Sequence, residues 1–118
     1  MPLVTVHNWS LPEEILERLV NSLPEIVADA LSKTTLSENA LSMNDIEVVV
    51  HRGDPLDIHG GNDYGVSVEA KWFQEREERS PIATDQIKRG ILPLVRGYQG
   101  YVWITLPPAA FVEIHSFE

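Results

Sequence analysis

The second residue of the chain is proline, and a strand-like run, Leu3-Val4-Thr5-Val6, follows it at once. An initiator Met before so small a residue is usually removed, which leaves Pro2 as a free secondary amine. A ring nitrogen at a chain terminus is a compact base or nucleophile with little torsional freedom. Apolar surface and nearby cations disfavour its charged form, bringing its pKa down toward neutrality, where it suits general-base work. The plain alternative is that Pro2 merely follows the start codon, and retention of Met1 blocks the amine outright. A second group is His51, Asp54, Asp57, His59 and Asp63, crowded into one Gly- and Asp-rich stretch. Imidazole and carboxylate bind zinc and other divalent ions, but this spacing matches no metal motif. No metal and no other cofactor is expected. The third feature is the uneven placing of the cations: Arg52, Lys71, Arg76, Arg79, Lys88, Arg89 and Arg96 all lie in the second half. That leaves room for a local anion site in an otherwise acidic chain.

The elements that must position these groups follow from periodicity. Leu3 to Val6 reads as a short buried strand. Ser10-Leu11-Pro12-Glu13 has the form of a capping box with Pro in the first turn. Leu11, Ile15, Leu16, Leu19, Val20, Leu23, Ile26, Val27, Ala30 and Leu31 then form a helical stripe. Pro24 interrupts it, and Ser22-Leu23-Pro24-Glu25 repeats the first cap, so one bent helix over about 11–33 competes with two abutting helices. Asp45 to Arg52 is β-branched and reads as a core strand. Residues 53–63 read as a mobile loop with few apolar anchors, and Tyr64 to Trp72 as the third strand. Ser80-Pro81 reads as the start of a second helix, Tyr101 to Leu106 as the fourth strand, and Ala110 to Ile114 as a short terminal one. Val4-Thr5-Val6 with Trp9 is echoed by Val66-Ser67-Val68 with Trp72. Strand–helix–strand twice over predicts an α/β domain of two βαβ units, a four-stranded sheet with both helices on one face. The opposite face then needs a partner, so oligomerisation is expected.

At 118 residues the chain is read as a single domain, 1–118, with an ordinary hydrophobic share of 43%. It has no cysteine, which excludes disulfides and thiolate chemistry and fits a cytoplasmic setting. Neither a signal peptide nor a membrane span shows in the sequence. A formal net charge of −9 makes nucleic acid and anionic lipid poor partners.

Pro2 opening a strand, followed by two βαβ units, resembles the tautomerase superfamily over nearly the whole chain. Arg76-Glu77-Glu78-Arg79-Ser80 is similar to the Arg-Glu-Gly-Arg-Ser stretch of its cis-3-chloroacrylic acid dehalogenase branch. Pro107-Pro108-Ala109-Ala110-Phe111-Val112-Glu113 resembles that branch's Pro-Ala…Val-Glu segment. Met1-Pro2 with Val68-Glu69-Ala70-Lys71-Trp72-Phe73 resembles a small bacterial branch of the same superfamily. The resemblance implies a homotrimer and a proline-dependent tautomerase or isomerase acting on a small 2-keto or enol carboxylate. Pro2 is then the base, Arg76 and Arg79 bind or polarise the substrate, and Glu113 activates water or serves as a second acid–base group. Taken alone, Gln74–Arg79 reads as a solvated charged turn. The chain also departs from the family pattern. Glu47 stands where simple tautomerases place an Arg early in the second strand, and Pro12 where they place one before the first helix. The dehalogenase branch's helix His falls at Ala28 or Asp29, and its aromatic hydroxyl at Val102 or Trp103. Two other readings stand beside the tautomerase: a hydratase acting on an unsaturated acid, and a non-catalytic binding or assembly protein of the same fold. A ferredoxin-like regulatory domain shares the element order.

Overall fold

The two echoing triplets lie side by side at the centre of the sheet. A computed structural model describes residues 2–32, 41–108 and 114. In it β1 (Leu3–Asn8) pairs antiparallel with β3 (Tyr64–Glu69), so that Val4 faces Val68, Thr5 faces Ser67 and Val6 faces Val66. β2 (Glu47–Arg52) lies parallel to β1, and β4 (Val102–Thr105) parallel to β3. The order is β2-β1-β3-β4. Each parallel pair is bridged by a helix: α1 (Glu13–Leu31) crosses from β1 to β2, and α2 (Gln74–Ile91) from β3 to β4.

The expected α/β architecture is therefore what forms. Val4, Val6, Val66 and Val68 are fully buried and meet Leu16, Leu19, Leu23 and Val27 of α1 and Ala83, Ile87 and Ile91 of α2. Alternation along the strands leaves the other row outside this core, where Val49 and Trp103 are exposed by 48% and 62%. Tyr64 and Tyr101 lock the β3–β4 pair from its two faces. The Tyr101 ring lies where a Cβ on Gly65 would stand, and the Tyr64 ring where one on Gly100 would stand.

Several boundaries differ from the sequence reading, each for a local reason. α1 is one helix that holds Pro24 in its interior, with Pro12 as its N-cap and no side-chain cap. Ser10 makes no capping box. Its backbone N–H bonds the Asp63 carbonyl, and the Asn8 side chain brackets Leu11 instead, accepting from its N–H at 2.8 Å. A capping box does form at Ser42 and Asp45, around a 3-10 turn of Met43–Asp45. The larger correction concerns α2, which begins at Gln74 rather than at Ser80. Pro81 has no N–H to give the Glu77 carbonyl, and the Ser80 hydroxyl donates to that carbonyl at 2.8 Å in its place. Glu75 and Glu77 in the first turn suit the positive end of the helix dipole. The segment read as a charged turn is thus the first two turns of a helix. Residues 53–63 are a loop, but one with anchors that its composition hides. The terminal strand expected over 110–114 falls on residues outside those described, apart from Ile114.

Leu19 of α1 is fully buried in the core that the sheet and both helices share. Leu19→Ala should lower unfolding free energy by about 2–5 kcal/mol, read as a drop in urea midpoint at unchanged slope.

Candidate active site

β1 begins one residue after Pro2, and its first residue, Leu3, pairs with Glu69, the last residue of β3. The N-terminus of one central strand thereby meets the C-terminus of the other. Pro2 is buried there, in line with the helix-facing row of Val4 and Val6, and its carbonyl accepts the Glu47 N–H at 3.1 Å. Beyond Glu69 the chain runs without regular secondary structure through Ala70–Phe73 and enters α2.

Arg76, in the first turn of α2, turns back toward this strand end. Its Nη1 donates to the Lys71 carbonyl at 2.8 Å, and its guanidinium lies over the Phe73 ring at 4.7 Å. Lys71 places its ammonium 5.5 Å from the same ring. Only 6% of Arg76 is exposed, yet none of the described carboxylates pairs with it, and its Nε has no hydrogen-bond partner. Loss of solvent pulls its pKa below the usual guanidinium range. A buried cation with donors to spare is expensive for a fold to keep. Part of the arrangement is plainly structural, because the Lys71 bond and the Phe73 contact staple the β3–α2 connection. The unused donor is what such a staple leaves unexplained. The N-terminus of α2, where Phe73 supplies no side-chain cap, adds a partial positive charge at the same corner.

Arg79 lies one turn further along α2 and is half-buried. Spacing of three residues puts it on the same side of the helix as Arg76. Glu113 lies outside the described residues. The sequence pointed to Pro2, Arg76 and Arg79, and the structure brings the first two to one end of the central strand pair. In the sequence Lys71 stands out only as one of the second-half cations, and neither it nor Phe73 is assigned a role. Their place in Ala70-Lys71-Trp72-Phe73, between the third strand and Arg76, is a further signal.

The Asp- and His-rich loop is organised differently. Asp57 accepts the Trp9 indole N–H at 3.0 Å and the Asp54 N–H at 3.0 Å, and these bonds hold its carboxyl below the usual carboxylate range. Asp54 caps Leu56, Asp63 accepts the Gln99 N–H, and His59 stacks on Trp9 with centroids 5.1 Å apart. Among the described residues no three His, Asp or Glu side chains converge as a metal site would require. A separate cleft of about 570 Å³ lies between α2 and the run into β4, lined by Tyr64, Tyr98, Tyr101 and Lys88 among others. Tyr64 begins β3, so this cleft is at the end of the strand away from Pro2 and contains none of the expected site residues.

Two βαβ units joined through antiparallel central strands are also the fold of solved structures from the tautomerase superfamily. A malonate semialdehyde decarboxylase, determined as wild type, as a proline-to-alanine variant and inactivated, superposes with a TM-score of 0.69 at 11% identity, over 98% of this chain and 92% of that one. A fused 4-OT, a symmetric trimer, gives 0.64 at 10% identity over 97% and 92%. A 5-carboxymethyl-2-hydroxymuconate delta-isomerase gives 0.58 at 14% identity over 100% and 89%. No protein-family model matches the sequence, and neither does any curated protein sequence.

Replacing Arg76 by Met separates a staple from a binding group. It deletes the Lys71 bond but also ends the burial of a charge, and the two effects oppose each other. Arg76→Met should keep unfolding free energy within about 1 kcal/mol of wild type in urea titrations. A purely structural arginine would cost more.

Proposed function

We propose that the chain is a proline-dependent tautomerase that interconverts enol and keto forms of a small 2-keto carboxylate, working as a cytoplasmic homotrimer. The observation that carries this reading is Arg76: a buried guanidinium with a vacant donor, held at the strand end that Pro2 opens. Guanidinium is a planar, bidentate partner for carboxylate, and in a site short of water it also stabilises an enolate. With Met1 removed, Pro2 presents its secondary amine beside this cation. Burial and the neighbouring positive charges favour the neutral amine. The amine takes the enol hydroxyl proton while Arg76 steadies the developing oxyanion and the carboxylate. The resulting ammonium returns the proton to carbon 3, and the amine emerges unchanged. Arg79 serves as a second cation for the carboxylate. Glu113 has a role only in the hydratase variant of this chemistry, as the group that activates water. Support for the proline comes from the malonate semialdehyde decarboxylase, for which a proline-to-alanine variant was studied beside decarboxylase and hydratase activities. Support for the trimer comes from the fused 4-OT and from Val49 and Trp103, two large apolar side chains exposed on the open sheet face. No helix among the described residues is long and apolar enough to cross a membrane.

Ketonisation of phenylenolpyruvate, followed spectrophotometrically on protein whose N-terminal mass shows loss of Met1, tests the assignment. Activity should rise with pH as the Pro2 ammonium loses its proton, because only the neutral form accepts a proton. Pro2→Ala should lower the rate by roughly 10²–10⁴-fold. Arg76→Ala should lower kcat/KM by about 10²–10³-fold through both binding and enolate stabilisation. Turnover that survives both changes, or a natural protein that keeps Met1, would remove the catalytic reading and leave a binding or assembly protein of the same fold.

Assembly has its own readout. Sedimentation at micromolar concentration should give a closed trimer, and Trp103→Glu, which puts a charge on the open sheet face, should shift it toward monomer. A stable wild-type monomer contradicts this expectation.

A further inference from the structure

His7 belongs to no motif in the sequence, yet it is the hub of a cluster on the open face of the sheet. It stands opposite His51 in the parallel β1–β2 register, and the two Nδ1 atoms lie 3.2 Å apart with the rings at 85°. Only one proton fits between them. In the neutral pair one Nδ1–H donates to the other nitrogen. A first added proton goes to an outer Nε2 and leaves that bond intact, now charge-assisted. A second puts N–H groups on both facing nitrogens, and the pair must part. The consequence reaches the loop because His7 also lies nearly parallel to Trp9, with centroids 5.9 Å apart. Trp9 in turn stacks with His59, bonds Asp57 and covers Gly53 so closely that no side chain fits there.

We propose that the His7–His51 pair is an acid-sensitive latch that holds Trp9, and through it loop 53–63, against the sheet, and that uptake of a second proton opens it. The groups facing the pair set its window. From β3, the Ser67 hydroxyl lies 3.5 Å from His7 Nε2. From the loop come His59 and the Asp57 carboxylate, which lies close enough to His51 and His59 for its charge to oppose release. His7 itself binds protons less readily than a free imidazole, first because it is partly desolvated and second because His51 is beside it. The sign follows from linkage. The folded state holds the His7 proton more weakly than the unfolded chain does. The latch's contribution is therefore complete above about pH 6.5, the ordinary imidazole value, and is lost as pH falls toward the depressed folded value. The pair is about 17 Å along β1 from Pro2, taking 3.3 Å per strand residue, so this device is separate from the proposed chemistry.

The test uses the full chain carrying Trp72→Phe and Trp103→Phe, which leaves Trp9 as the reporter. Between pH 8 and 4.5 its emission should pass through one transition with a midpoint below about 6.5. His51→Gln keeps a hydrogen-bond partner for His7 but takes no proton, and should move that midpoint down by at least one pH unit or abolish it. His59→Gln should leave the midpoint in place. Imidazole NMR titration of the unsubstituted protein should show His7 and His51 taking protons in two separated steps. An unchanged midpoint in His51→Gln, no transition above pH 4.5, or two imidazoles titrating together near pH 6.5 would each overturn the latch.

Discussion

The antiparallel pairing of β1 with β3 is the contact on which the rest of this molecule depends. It sets Val4 against Val68 and Val6 against Val66, four fully buried side chains that form the floor of the core. Because the side-chain period is two, a slip of one residue would turn that valine row to the open face and bring Thr5 and Ser67 into the core. Register is therefore fixed by burial, and with it the meeting of Pro2 with the chain beyond Glu69. The candidate site is a by-product of core packing: the same valines that hold the sheet decide that a chain terminus and an arginine 74 residues further on share one corner.

Electrostatics at that corner runs against the character of the chain. A protein of net charge −9 buries a guanidinium and leaves one of its donors without a partner. Lys71 and the start of α2 lie beside it, while Glu75 and Glu77 occupy the first turn of the same helix. The ion pairs follow ordinary surface rules, Glu13 with Arg52 and Glu14 with Arg18 being exposed and of small consequence. Against that background Arg76 is the cation whose placement packing alone does not explain.

Composition says little about what holds loop 53–63. Its Gly and Asp residues suggest mobility, and His59 among the aspartates, with His51 just before the loop, offers metal-binding groups at a spacing that matches no metal motif. In the fold those side chains are divided among a turn, a strand entry and the flanks of Trp9. Their hub, Trp9, lies outside the loop altogether, and His51 turns to His7 rather than to its own neighbours.

What the sequence determined by itself were the properties carried by local periodicity and backbone chemistry. Valine alternation specified the strands, the apolar stripe specified α1, and the order of elements specified two crossover units on one sheet. Pro2, Arg76 and Arg79 stood out as candidates because a terminal secondary amine and a cation pair after a strand are local features that resemble those of a known family. The start of α2 was misread because Ser-Pro signals a helix start when only neighbours are considered. Inside the longer helix the Ser80 hydroxyl satisfies the Glu77 carbonyl that Pro81 cannot. Only the tertiary structure decided that Arg76 is buried beside Phe73 with a donor unused, and that His7 meets His51 across 44 residues. Burial and long-range pairing are set by the register of β1 against β2 and β3. That register is a property of the whole packed core, which no window of the sequence contains.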